Sequence, residues 1–173
     1  MGTSNDLHSL LKVAREIRSD VPTKPAPPKA EYSVSSKVVP QELVIEARPY
    51  IQEIAKQING SYEHGWFYAC LVMMRRLMET LLIECFENEG CSSAITNPDG
   101  DYVGLSNIIS KSESGHHISF SRHAPKKMKR IKRHADNSAH NRWYTASRTE
   151  VDELVSPFQI LINELIEISE LST

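Results

Sequence analysis

Residues 62–88 read YEHGWFYACLVMMRRLMETLLIECFEN, and this stretch decides the fold. Trp66, Ala69, Cys70, Met73, Leu77, Leu81 and Ile83–Phe86 leave it apolar almost all round. A helix without a polar face needs neighbours on several sides. Arg75, Arg76 and Glu79 interrupt the apolar cylinder. Arg75 and Glu79, four residues apart, suit an ion pair at the core boundary, whereas Arg76 or Glu79 is placed to reach a polar stripe on another helix.

The neighbours are found on both sides in sequence. Residues 41–58 place Leu43, Ala47, Tyr50, Ile51, Ile54 and Ile58 inward, with Pro49 forcing a kink or break and Asn59-Gly60 ending the helix. A last helix opens at Thr149-Glu-Val-Asp152 in a capping-box pattern, and Val151, Leu154, Val155, Phe158, Ile162, Leu165 and Ile168 line its buried side. Pro157 is expected to bend it. Between these lie an irregular 89–121 segment, with a TNPDGD turn and a short helix over Val103–Ile109, and a basic helix within Pro125–Trp143. The expected fold is all-α: an up-and-down bundle of four to five helices over residues 41–173. Ahead of it, residues 1–18 read as a helical arm, either docking on a partner or another copy or only loosely attached, and 19–40 as a Pro-rich linker.

Composition fits a soluble globular protein: 40% hydrophobic, 24% charged, net charge −2 over 173 residues. That balance hides a basic 122–148 segment, which suggests an anionic ligand. Cys70, Cys85 and Cys91 form neither a metal-type pair nor a disulfide framework, which fits a reducing cytoplasm. The N-terminal MGTSNDLHSLL does not read as a signal peptide. The longest apolar run, Trp66–Met74, falls far short of the roughly 20 residues of a membrane span. His116, His117 and His123 lack companions at ligand spacing, so no metal is expected. With no glycine-rich phosphate loop, no nucleotide cofactor is expected either.

The basic helix, PKKMKRIKRHADNSAHNRW, concentrates the chemistry. Arg133, Asp136, Asn137 and His140 share one stripe at offsets of three, four and seven residues. Met128, Ile131, Ala135, Ser138 and Ala139 form the opposite, packing stripe. One face packs, and the other offers a cation, a carboxylate, an amide and an imidazole.

The long apolar helix with its Arg75, Arg76 and Glu79, followed by Asn137-Ser138-Ala139-His140, resembles the HEPN superfamily of small all-α proteins. It is similar in particular to a bacterial branch with an Asn-x-x-His signature. The superfamily's motif is an arginine and a histidine with four to six residues between them, met here by Arg133 and His140 with six between, and with His134 as the polar residue after the arginine. Arg142 stands where some HEPN toxins have a tyrosine, so tyrosine-based regulation does not carry over.

The resemblance covers about residues 41–170 and implies metal-independent RNA cleavage by a homodimer, in toxin–antitoxin or phage-defence settings with an antitoxin or defence-system partner. His140 would move the proton of a ribose 2′-hydroxyl, and Arg133 would clamp the phosphate. Asn137 would orient the ring, Asp136 would hold Arg133, and Arg76 and Glu79 would support the stripe. Lys126, Lys127, Lys129, Arg130, Lys132 and Arg142 would bind the RNA backbone. The alternatives are a non-catalytic HEPN-like module binding RNA, nucleotides or a protein, and a purely structural helical dimer.

Overall fold

A computed structural model describes residues 38–169, so the arm of residues 1–18 and most of the linker lie outside the described residues. Helices α1 (Gln41–Val44), α2 (Pro49–Glu63), α3 (Phe67–Asn88), α4 (Leu105–Glu113), α5 (Ala124–His140) and α6 (Arg148–Ser169) make an all-α bundle. A single turn of 3₁₀ helix spans Ser92–Ile95. Among the described residues there is no strand, only an isolated bridge between Thr96 and Tyr102. It closes the TNPDGD turn, where Asn97 Oδ1 accepts from the Asp99 and Asp101 amides at 3.0 and 2.8 Å.

Helix α3 is the axis of the bundle, packed against α2, α5 and α6. Its buried set is Cys70, Leu71, Met74, Leu77, Met78, Leu81, Leu82, Cys85 and Phe86. These positions recur at three- and four-residue steps on more than one face, as a central helix requires. Helix α6 answers with Val151, Leu154, Phe158, Leu161, Ile162, Leu165 and Ile166, and continues through Pro157. Cys70 and Cys85 are buried free thiols that burial pushes up to about 12. They pack, and they do not react.

The chain departs from its sequence reading at several helix ends. Pro49 breaks rather than kinks: it is the first residue of α2, where its missing N–H costs nothing, and α1 becomes a separate turn. The bundle therefore has six helices. Asn59-Gly60 does not stop α2, which runs on to Glu63. Asn59 is a buried helical residue whose side chain holds the incoming chain. Its Oδ1 accepts from the amides of Val38 and Val39 at 3.1 and 2.9 Å, and its Nδ2 donates to the Val39 carbonyl at 2.8 Å. Val38 and Val39 are consequently core residues, so the packed domain reaches back beyond residue 41.

The turn before α3 passes through Gly65, whose φ of +73° favours glycine, and leaves Trp66 exposed ahead of the helix. Helix α4 extends past Ile109 to Glu113. The capping box of α6 forms two residues earlier than Thr149. Ser147 Oγ accepts from the Glu150 amide at 3.4 Å, and Glu150 Oε2 accepts from the Ser147 amide at 3.1 Å.

Candidate functional site

Helix α5 buries Ala124, Met128, Ile131 and Ala135. This leaves the stripe of Arg133, Asp136, Asn137 and His140 facing outward, as its spacing predicts, although Ala139 is exposed as well. Across from the stripe stand the first residues of α4. Together they border an open cleft of about 750 Å³, lined by Arg75, Lys132, Asp136, Asn137, His140 and Arg142 against Gly104–Asn107. An adjoining hollow of about 500 Å³ shares Ser106, Lys132, Asp136 and Asn137 and adds Arg133. His140 borders the cleft and Arg133 the hollow, and the four lining residues they share join the two into a groove. The α4 wall carries no signal in the sequence, because nothing in Leu105-Ser106-Asn107 marks it as functional. Gly104 provides no side-chain cap to that helix, and its carbonyl accepts from the Asn107 amide at 2.8 Å.

One carboxylate organises the cations. Asp136 Oδ1 pairs with Arg75 Nη1 at 3.0 Å, and Oδ2 with Lys132 one turn back. It does not hold Arg133, contrary to the sequence expectation, because it leans toward α3 while Arg133 points away from the bundle. The expected Arg75–Glu79 pair is replaced by this interhelical one. Arg75 sits one turn after buried Leu71 and just before buried Met78, on the side of α3 that faces α5. Arg76, one residue on, is rotated to solvent and, like Glu79, lines neither part of the groove. The long-range role anticipated for Arg76 or Glu79 falls to Arg75.

The six expected backbone-binding cations divide. Lys129 pairs with Glu113, Arg130 with Glu153 at 3.3 Å, and Lys132 with Asp136. Lys126 is exposed at the start of α5, Lys127 is half-buried beside it, and Arg142 lines the groove at the other end. The first turn of α5 contains lysines and no acid, although the positive end of the helix dipole disfavours cations there. That placement costs helix stability and concentrates positive potential on one side.

Behind the stripe, α5 meets α6 in a second polar cluster. His134 Nδ1 lies 3.3 Å from the Tyr144 hydroxyl and 3.8 Å from Glu150 Oε1. Burial, with Arg133 next to it, pulls His134 below its ordinary 6.5 despite the Glu150 carboxylate. Burial and Glu150 together push the Tyr144 phenol up to about 12. A histidine whose folded pKa is depressed binds fewer protons folded than unfolded. Its contribution to stability is therefore complete above the unfolded value of 6.5 and declines as pH falls from there toward the folded pKa. Thermal melts from about pH 8 to 5 should show a steeper loss for the native chain than for His134→Asn. Parallel curves would show that His134 does not titrate out of register between the two states.

Among the described residues, no group of His, Cys, Asp and Glu could hold a metal ion, and no helix is long and apolar enough to cross a membrane. Likewise, no partner reaches the His140 imidazole. Compared with protein-family models, curated proteins and solved structures, the chain matches none.

Proposed function

We propose that this chain is a metal-independent endoribonuclease of HEPN type, acting as a homodimer through Arg133 and His140. The observation that carries the reading is the groove itself. Arg75, Lys132, Arg133 and Arg142 converge with an exposed imidazole along an open surface whose single acid, Asp136, is already occupied by two cations. Such a surface suits a polyanion threaded past a proton-transfer group. The α4 N-terminus on the facing wall adds the positive end of a helix dipole.

The chemistry follows from these groups. A neutral His140 accepts the proton of a ribose 2′-hydroxyl as that oxygen attacks the adjacent phosphorus. The bond from phosphorus to the 5′-oxygen breaks, leaving a 2′,3′-cyclic phosphate, and a protonated imidazole gives the leaving oxygen its proton. Among the described residues a single histidine lines the groove, so the second imidazole comes from another copy across a two-fold axis. Arg133, permanently charged, holds the non-bridging oxygens as negative charge builds. A cytoplasmic setting in toxin–antitoxin or phage defence, with a silencing partner protein, belongs to the same proposal. The purified chain should cut RNA in EDTA and leave 2′,3′-cyclic ends; RNA left intact across several substrates would rule the reading out.

A second reading has its own support. Among the described residues nothing orients the His140 imidazole, and Lys129, Arg130 and Lys132 spend their charge on neighbouring carboxylates. Both features suit a non-catalytic HEPN-like module that binds RNA without cutting it. Asp136→Asn informs on binding under either reading. Releasing Arg75 and Lys132 should raise RNA affinity several-fold and steepen its salt dependence by about one unit of slope. The same change should lower stability by about 1 kcal/mol, because these half-exposed ion pairs contribute modestly. Unchanged affinity would remove the groove from RNA binding.

A further inference from the structure

Among the described residues Trp143 is the most exposed large hydrophobic one, with 80% of its surface accessible, and it lies three residues beyond His140. A tryptophan in water on a connecting loop needs a reason, since its burial would otherwise stabilise the fold. Its surroundings are ordered. The Arg142 guanidinium covers one face of the indole at 4.4 Å, and the Trp143 amide donates to Asn141 Oδ1 at 3.0 Å. On the next residue, the Tyr144 carbonyl accepts from the Tyr68 hydroxyl at 2.8 Å, and the two rings meet edge to face. The loop is thus clamped to α3 on one side while its indole projects away.

The geometry points to Trp143 as a stacking platform for an unpaired RNA base, beside the groove that takes the backbone. The inference rests on the proposed RNA-binding function and adds to it a base-binding position outside the groove. Arg142 connects the two halves, since it lines the groove and also lies on the indole. A phosphate drawn to Arg142 and His140 brings its own base within reach of the free indole face. Stacking needs a base whose face is open, as in a loop, bulge or single strand; a paired base in an A-form helix has both faces covered. The occupant is a nucleic acid rather than a protein because the one cation on the indole, Arg142, also lines the cationic groove.

The test uses the full chain with Trp66→Phe, so that Trp143 is the only remaining indole. A 2′-O-methyl oligoadenylate, which has no 2′-hydroxyl to attack with, is titrated against tryptophan fluorescence. Inorganic polyphosphate serves as a backbone without bases. Oligoadenylate should quench the emission strongly and polyphosphate weakly. In a fluorescence-independent binding assay, Trp143→Ala should lose about tenfold in oligoadenylate affinity, Trp143→Phe should keep most of it, and polyphosphate should bind all variants alike. Light scattering should give Trp143→Ala the mass of the parent.

Equal loss of both ligands would mean that Trp143 only props Arg142. A change in mass would make the indole a contact between copies. Either result overturns the platform. If oligoadenylate binds with these ratios yet natural RNA is never cut, the nuclease reading falls while the platform stands. If RNA is cut equally well by parent and Trp143→Ala, the platform falls while the nuclease reading stands.

Discussion

His140→Ala should lower RNA cleavage in EDTA by about 10²–10⁴-fold while leaving the bundle intact, a range set by the usual contribution of a positioned proton-transfer group. His140 is the last residue of α5, exposed, and its imidazole has no partner among the described residues. Its removal therefore opens no cavity and orphans no donor, so stability should move by no more than about 0.5 kcal/mol. That separation makes the experiment clean, because lost activity cannot be blamed on unfolding. Arg133→Ala should be comparably silent in stability and also severe in activity. Arg133→Lys should recover only part, since an ammonium cannot grip two phosphate oxygens side by side. Ribonuclease activity that survives His140→Ala undiminished would remove the imidazole from the chemistry, whatever the groove binds.

Asn59→Ala should destabilise the domain by about 3 kcal/mol, the largest effect expected from a single polar side chain here. The Val38–Val39 dipeptide is buried, and Asn59 satisfies both of its amides and one of its carbonyls; Gln159 Nε2 supplies the other carbonyl at 3.2 Å. Alanine leaves three main-chain groups without partners, each costing roughly 1–3 kcal/mol if water cannot reach it, and some water will. Asn59→Asp keeps the acceptors but turns a carboxylate oxygen toward the Val39 carbonyl, so it should not restore stability. Urea denaturation is the readout. A change below about 0.5 kcal/mol would mean that the entering strand does not depend on Asn59.

Much of the bundle is legible in the sequence because it rests on periodic apolar positions. Met128, Ile131 and Ala135 bury one side of α5 and leave Arg133, Asp136, Asn137 and His140 on the other, as spacing alone dictates. Helix ends were less readable because two residues played unexpected parts. Asn59 reads as a stop signal when its side chain is imagined bonding locally, but here it bonds a segment some 20 residues away, so the helix runs on. Thr149 and Ser147 are both plausible caps, and the choice fell to the one with glutamate three residues later, Ser147 with Glu150.

The site was legible as a stripe and not as a groove. Arg75 and Arg76 are adjacent and chemically identical, so only the rotation of α3 decides which one meets Asp136. The α4 wall carries no chemical mark at all. Ser106 and Asn107 matter through where they lie, which a linear reading cannot supply.

Glu150 gives the loop between α5 and α6 a property useful to protein engineers. One of its oxygens closes the cap of α6 while the other faces His134 on α5, so a single side chain registers the two helices against each other. Surface loops normally accept insertions at small cost. This one should tolerate changes of identity at residues 141–143 but resist changes of length, because any added residue would pull the cap away from His134 and Tyr144. It is a fixed-length cassette, and swapping its tip offers a route to new ligand preferences on an unaltered scaffold.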